Sequence, residues 1–92
     1  KTMANKRQLK KAINQMCGDM FVESVVISHN HNNASQEDID NIMKAILLLQ
    51  NNMIRRVSHI EPGMKPKVYF RKLREDIIKE TNEILDQLYN LA

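Results

Sequence analysis

Glycine and proline, the residues that most often interrupt regular structure, are scarce in this chain. Of its 92 residues only two are glycine and two are proline, and three of these four lie within residues 61–66. A second break is predicted at the run His29-Asn30-His31-Asn32-Asn33, since such residues are typical of a helix end and the turn after it. Two breaks separating long uninterrupted stretches predict three helices.

Capping residues predict where each helix begins. Asn5, with Gln8 three positions later, predicts a first helix at about residues 6–30, and Ser35, with Asp38, predicts a second at about 36–59. Pro66 suits the first position of a third helix at about 66–90. We therefore predict an all-α fold, an up-down-up antiparallel three-helix bundle of long helices that forms a single domain over residues 1–92.

Apolar residues recur at spacings of three and four in each predicted helix, which is the pattern of a buried helical stripe. When the helices are folded back on one another, the three stripes match in layers along their whole length, although a dimer that exchanges helices would give the same pattern. The predicted stripes are Leu9, Ile13, Met16, Met20 and Ile27; Ile39, Ile42, Ile46, Leu49, Met53 and Val57; and Phe70, Leu73, Ile77, Thr81, Ile84 and Leu88.

Composition narrows the class of protein. Hydrophobic residues make up 42% of the chain and charged residues 27%, as in globular domains. The longest apolar run, residues 45–49, is far shorter than the ~18 residues of a membrane span, so we expect no membrane partner. The single cysteine, Cys17, cannot form an intrachain disulfide, and we expect a cytoplasmic protein.

No motif for catalysis is visible in the sequence. It has no glycine-rich phosphate loop, no paired-cysteine metal motif and no nucleophile elbow, and Cys17, at the edge of the first stripe, is interpreted as a buried structural thiol. His29 and His31 would diverge by about 200° on a helix, so they could share a metal ion only in an irregular turn. We predict a non-enzymatic protein with no catalytic residues, metal, cofactor or small-molecule substrate.

Positive charge is concentrated where three helix ends would meet. Twelve of the fourteen lysine and arginine residues lie at the start of the first helix, the end of the second and the start of the third. This end is a candidate surface for nucleic acid or another polyanion, with Tyr69 and Phe70 as stacking groups; the alternative is that the charge only maintains solubility. The candidate polyanion-binding residues are Lys6, Arg7, Lys10, Lys11, Arg55, Arg56, Lys67, Arg71, Lys72 and Arg74.

A second surface is predicted from apolar residues outside the stripes. Val22 and Val25 point away from the predicted core with Phe21 beside them, and Leu48 likewise faces outward on the second helix. We interpret these four residues as one patch that binds a protein partner or a second copy, unless a rotated helix buries them. Protein–protein interaction is therefore the favoured function, and nucleic-acid binding is the alternative.

Two segments carry a resemblance to known proteins. The opening ANKRQLKKAI (residues 4–13) and the connection EPGMKPK (residues 61–67) resemble those of a group of short uncharacterised helical proteins of gut bacteria. The resemblance covers nearly the whole chain and implies a helical fold and a bacterial setting, but no activity, ligand or catalytic residue. In that comparison Met3 is the expected natural start, and Lys1 and Thr2 would be an upstream extension.

Overall fold

A computed structural model describes residues 4–30 and 34–91, with side chains from residue 6 onward. It contains three helices, α1 (Ala4–Asn30), α2 (Gln36–Ser58) and α3 (Pro66–Asn90), and the described residues include no strand. The bounds agree with the predicted ones to within two residues. The prediction of an all-α three-helix bundle is confirmed.

The residues around the two breaks explain where the helices begin. Ser35 is the N-cap of α2, and its hydroxyl oxygen accepts a hydrogen bond from the backbone N–H of Asp38 at 3.0 Å, as predicted. Pro66 is the first residue of α3. The predicted cap at Asn5 is wrong, because α1 already includes Asn5. Residues 31–33, with His31 among them, lie outside the described residues.

The connection between α2 and α3 contains a tight turn that is held by a backbone hydrogen bond. The backbone N–H of Met64 donates to the carbonyl oxygen of Glu61 at 3.2 Å, and Gly63 has a φ of +87°. Proline followed by a left-handed glycine is the pattern of a type II turn, which here reverses the chain. The antiparallel order of α2 and α3 follows from this turn.

The three helices do not pack equally. α2 packs against both of its neighbours, whereas α1 and α3 barely touch each other. The predicted stripes of α2 and α3 are buried throughout. On α1, however, the predicted stripe residues Leu9 and Met16 are only half-buried, and Cys17 and Ser24 are fully buried instead. α1 is therefore rotated toward α2, and its other flank is left open beside α3.

Ser24 is a buried polar residue that the apolar pattern did not predict. Its hydroxyl donates to the carbonyl oxygen of Met20 at 2.8 Å, one turn earlier in α1. This bond satisfies the hydroxyl within α1, so Ser24 can be buried without a hydrogen-bond partner on another helix.

Candidate functional site

The basic end of the bundle is where α1 begins, α2 ends and α3 begins. The hydroxyl of Tyr69, in the first turn of α3, donates to the carbonyl oxygens of Arg56 at 2.9 Å and His59 at 3.0 Å, which joins α3 to the end of α2. Seven of the ten candidate polyanion-binding residues are exposed, and Lys6, Lys10 and Arg56 are half-buried. The exposed ones are Arg7, Lys11, Arg55, Lys67, Arg71, Lys72 and Arg74.

Arg56 and Lys72 differ from the other basic residues because both approach Asp76. Arg56 Nη2 lies 3.0 Å from Asp76 Oδ2, and Lys72 Nζ lies 3.6 Å from Asp76 Oδ1. The hydrogen bond from Arg56 lowers the pKa of Asp76, with a further contribution from Lys72, against the opposing effect of partial desolvation. Arg56 therefore links α2 to α3, and less of its charge is available to a ligand.

Tyr69 and Phe70 cannot stack on nucleic-acid bases as the sequence suggested. Both are buried, each with 6% of its surface exposed, and their rings meet edge to face at a centroid distance of 5.5 Å. The expectation is corrected because Phe70 belongs to the core and Tyr69 holds the carbonyl end of α2. A ligand at the basic end therefore could not stack on these two rings.

Val22 and Val25 lie on the open surface, whereas Phe21 is half-buried and packs against the core, so the rotation of α1 covers Phe21 but not the two valines. Val22 is 63% exposed and Val25 is 43% exposed. The seam between α1 and α2 is marked by a hydrogen bond of 2.8 Å from Gln50 Nε2 to Asn14 Oδ1. Phe21 and Val25 follow Asn14 by two and three helical turns, so they continue along this seam, with Val22 beside them.

Leu48 does not join this patch, although it is 70% exposed. It lines a groove of about 650 Å³ between α2 and α3, together with Lys79 and Glu83. Leu47 is 46% exposed and lies one turn before Gln50 on α2. Leu47 is therefore on the side of α2 that borders the α1–α2 seam. The surface is therefore redefined as the seam patch, formed by Phe21, Val22, Val25 and Leu47.

A second groove follows from the loose pairing of α1 and α3. A hydrogen bond of 3.3 Å from Thr81 Oγ1 to Met16 Sδ crosses between the two helices. The α1–α3 groove has a volume of about 500 Å³ and includes two carboxylates, Asp19 and Glu23. Its lining residues are Ala12, Gln15, Met16, Asp19, Met20, Glu23, Thr81, Leu85 and Tyr89.

Within residues 6–30 and 34–91, the side chains considered for chemistry do not gather into a group that could hold a metal ion. Cys17 is fully buried, and burial raises the pKa of its thiol, which keeps it protonated and unreactive. In the part of the chain that the structure describes, no three histidine, cysteine, aspartate or glutamate residues could hold a metal ion. His29 is exposed at the end of α1, and its predicted metal partner His31 is outside that part.

Comparisons with protein-family models, curated proteins and solved structures gave no significant match. The resemblance to the gut-bacterial group therefore stays a prediction. None of the described helices is both long enough and apolar enough to cross a membrane.

Proposed function

We propose that this chain is a non-enzymatic protein–protein interaction module that binds a protein partner through the seam patch. The observation that carries the proposal is the exposure of Val22, Val25 and Leu47 on one side of a bundle whose core is closed without them. Large apolar residues grouped in this way on a small domain mark surfaces that are covered by a partner.

The shape and composition of the seam patch favour a helical or flat partner. Gly18, one turn before Val22, has open space where a Cβ atom would be, so a partner backbone can approach α1 closely there. Burying a valine or leucine side chain completely contributes about 1.5–3 kcal/mol, and the exposed parts of these three would together contribute a few kcal/mol. Such a surface suits a specific, reversible complex after the cost of association.

The test compares complexes recovered from the native cells by tagged variants. We expect Val22→Glu combined with Val25→Glu to abolish recovery of a stoichiometric partner that the wild type retains, because each change places a carboxylate in the apolar contact. Asn52→Glu, an exposed change on the other flank of α2, is the matched control and should retain the partner. Recovery of the same partner by the valine variant would show that the seam patch is not the binding surface.

The basic end supports a second candidate function, the binding of nucleic acid or another polyanion. The observation in its favour is that seven exposed cationic side chains from all three helices lie at one end of a rod 48 Å long. A polyanion could contact residues from all three helices at once, and its affinity would fall steeply with salt because each neutralised phosphate releases counterions.

Charge-matched variants separate binding at this end from general attraction. Lys10→Glu combined with Arg71→Glu should weaken binding of duplex DNA, single-stranded DNA and RNA in fluorescence anisotropy. The control is Lys44→Glu combined with Lys79→Glu, which changes the net charge equally but away from the basic end. Equal weakening by both double variants, or no binding better than millimolar near physiological salt, would contradict this candidate.

A further inference from the structure

We propose that the α1–α3 groove binds a short amphipathic helix of a partner protein, one that carries lysine or arginine beside its apolar stripe. This groove is a different surface from the seam patch, so the inference goes beyond the proposed function. Three features of the groove support it: its length between two parallel helices, its apolar floor, and the sign of the charges on its α1 rim.

The groove has the shape of a gap into which a further helix fits. α1 and α3 run in the same direction and barely touch each other. The hydrogen bond from Thr81 to Met16 places these two residues at the same height along the bundle. On α1 the lining extends from Ala12 to Glu23, which is about 16 Å or three helical turns. A helix of similar length laid between α1 and α3 would complete a four-helix arrangement over this part of the bundle.

The floor of the groove is apolar and adaptable. Met20 is buried there, and Met16 and Leu85 are half-buried. Methionine side chains are unbranched, so they can adjust to the side chains of an incoming helix. Tyr89, two turns after Thr81, is 53% exposed and extends the apolar surface along α3. Such a floor suits the apolar stripe of an amphipathic helix, in which residues recur at spacings of three and four.

The charged residues that line the groove are both acidic. Within the described chain they are Asp19 and Glu23, which are four residues apart and therefore lie one turn from each other on the same side of α1. Neither carboxylate makes an ion pair with a described residue. At about the same height on the opposite side of the groove, α3 provides Leu85 and Tyr89, which carry no charge. The two carboxylates are thus free to pair with cations of an occupant.

These carboxylates determine the chemistry of the occupant. A helix whose apolar stripe covers the floor turns one flank toward α1, where lysine or arginine residues three or four positions apart would reach Asp19 and Glu23. A helix with an acidic flank, or a polyanion, would bring like charges together and is disfavoured. Arg74 lies two turns before Thr81 and outside the lining, toward the basic end. The cationic flank is therefore expected over the half of the groove that is farther from the basic end.

The test starts from a displayed library of helical peptides of about 14 residues, or four turns. Each peptide has leucine, isoleucine or alanine at stripe positions, and its flanking positions vary among lysine, glutamate and glutamine. We expect peptides selected on the wild-type chain to carry two lysines three or four residues apart on one flank. Because the chain has a net charge of +3, general electrostatic attraction would select glutamate instead.

Fluorescence anisotropy then measures the affinity of a selected peptide for variants of the groove. Asp19→Lys combined with Glu23→Lys should weaken binding roughly tenfold or more, and this variant should prefer the same peptide with its two lysines replaced by glutamate. Tyr89→Ala should weaken binding several-fold without changing any charge, because apolar contact is lost. The control is Glu37→Lys combined with Glu83→Lys, which changes the net charge equally at exposed positions outside the groove.

Circular dichroism verifies that each variant keeps its helices. Selection of peptides without paired lysines, equal weakening by the control, or failure of the glutamate peptide to bind the reversed variant would overturn the proposal. Sedimentation equilibrium of the wild type examines the other possible occupant. Self-association that is abolished by reversing Asp19 and Glu23 would assign the groove to a second copy and would overturn the proposal as well.

Discussion

Ile46 and Leu48 form a matched pair for testing which face of α2 holds the bundle together. They are two residues apart at the middle of the same helix, yet Ile46 has no exposed surface and Leu48 is 70% exposed. Both are large aliphatic residues, so truncation of each to alanine removes a similar volume. Any difference in the free energy of unfolding must then come from the environment.

The expected difference is large compared with the total stability. Truncating a buried isoleucine to alanine costs about 2–5 kcal/mol, because a cavity remains between α2 and its neighbours. A domain of this length has a total stability of about 5–14 kcal/mol, and 1 kcal/mol shifts the Tm of such a domain by about 4–8 °C. Ile46→Ala should therefore lower the Tm by about 8 °C or more. Leu48→Ala should change the stability by about 0.5 kcal/mol or less.

Thermal melts followed by circular dichroism measure both variants, and aspartate variants extend the contrast. Ile46→Asp should unfold the chain, because it places an unpaired carboxylate in the core, while Leu48→Asp should remain folded. Equal loss of helix in the two positions would show that the face of α2 is assigned incorrectly. Such a result would also remove the basis for the two grooves described above.

Three further predictions concern single residues. Asp76→Asn should lower the Tm at pH 7, because the folded-state pKa of Asp76 lies below its ordinary value of about 4. The charged carboxylate therefore stabilises the fold fully above about pH 4. The difference in Tm from the wild type should vanish as the pH falls through the folded-state pKa. Gly63→Ala should destabilise the turn by about 1–2 kcal/mol, whereas Gly18→Ala, in a helix with open space, should stabilise by up to about 1 kcal/mol in denaturant titrations. Cys17 should resist alkylation by iodoacetamide until the protein is unfolded, and rapid labelling of the native protein would contradict its burial.

The sequence predicted α2 and α3 better than α1, for a physical reason. In α2 and α3 every residue of the predicted stripe is buried, and apolar residues outside the stripe, such as Leu48 and Ile78, are exposed. In α1 apolar residues surround the helix, and the fully buried face includes the small residues Cys17 and Ser24, which an apolar pattern does not single out. Periodicity alone placed Leu9 and Met16 in the core, although the structure leaves them half-buried.

The candidate surfaces were predicted only in part, because periodicity does not fix how helices are arranged around a core. It correctly gave the exposure of Val22 and Val25. Periodicity could not show which of Leu47 and Leu48 lies on the side of α2 that faces α1. Adjacent residues differ by about 100° around a helix, and either side of α2 could face α1. The α1–α3 groove was not predicted, because matching the apolar stripes of the three helices in layers assumes that all three helix pairs pack equally closely. Asp19 and Glu23, each three residues after a stripe residue (Met16 and Met20), were the available signal.

The central position of α2 also has a consequence for how the chain folds. α1 and α3, the pair most distant along the sequence, barely touch, so the native contacts among the described helices form almost entirely between consecutive ones, which are separated by five and seven residues. Little loop-closure entropy is lost before each contact is gained, which is the property of chains that fold in microseconds to milliseconds. The helical hairpin of α1 and α2 can form before α3 is in place. During synthesis α1 and α2 leave the ribosome before α3, so this hairpin would be available for α3 to pack against.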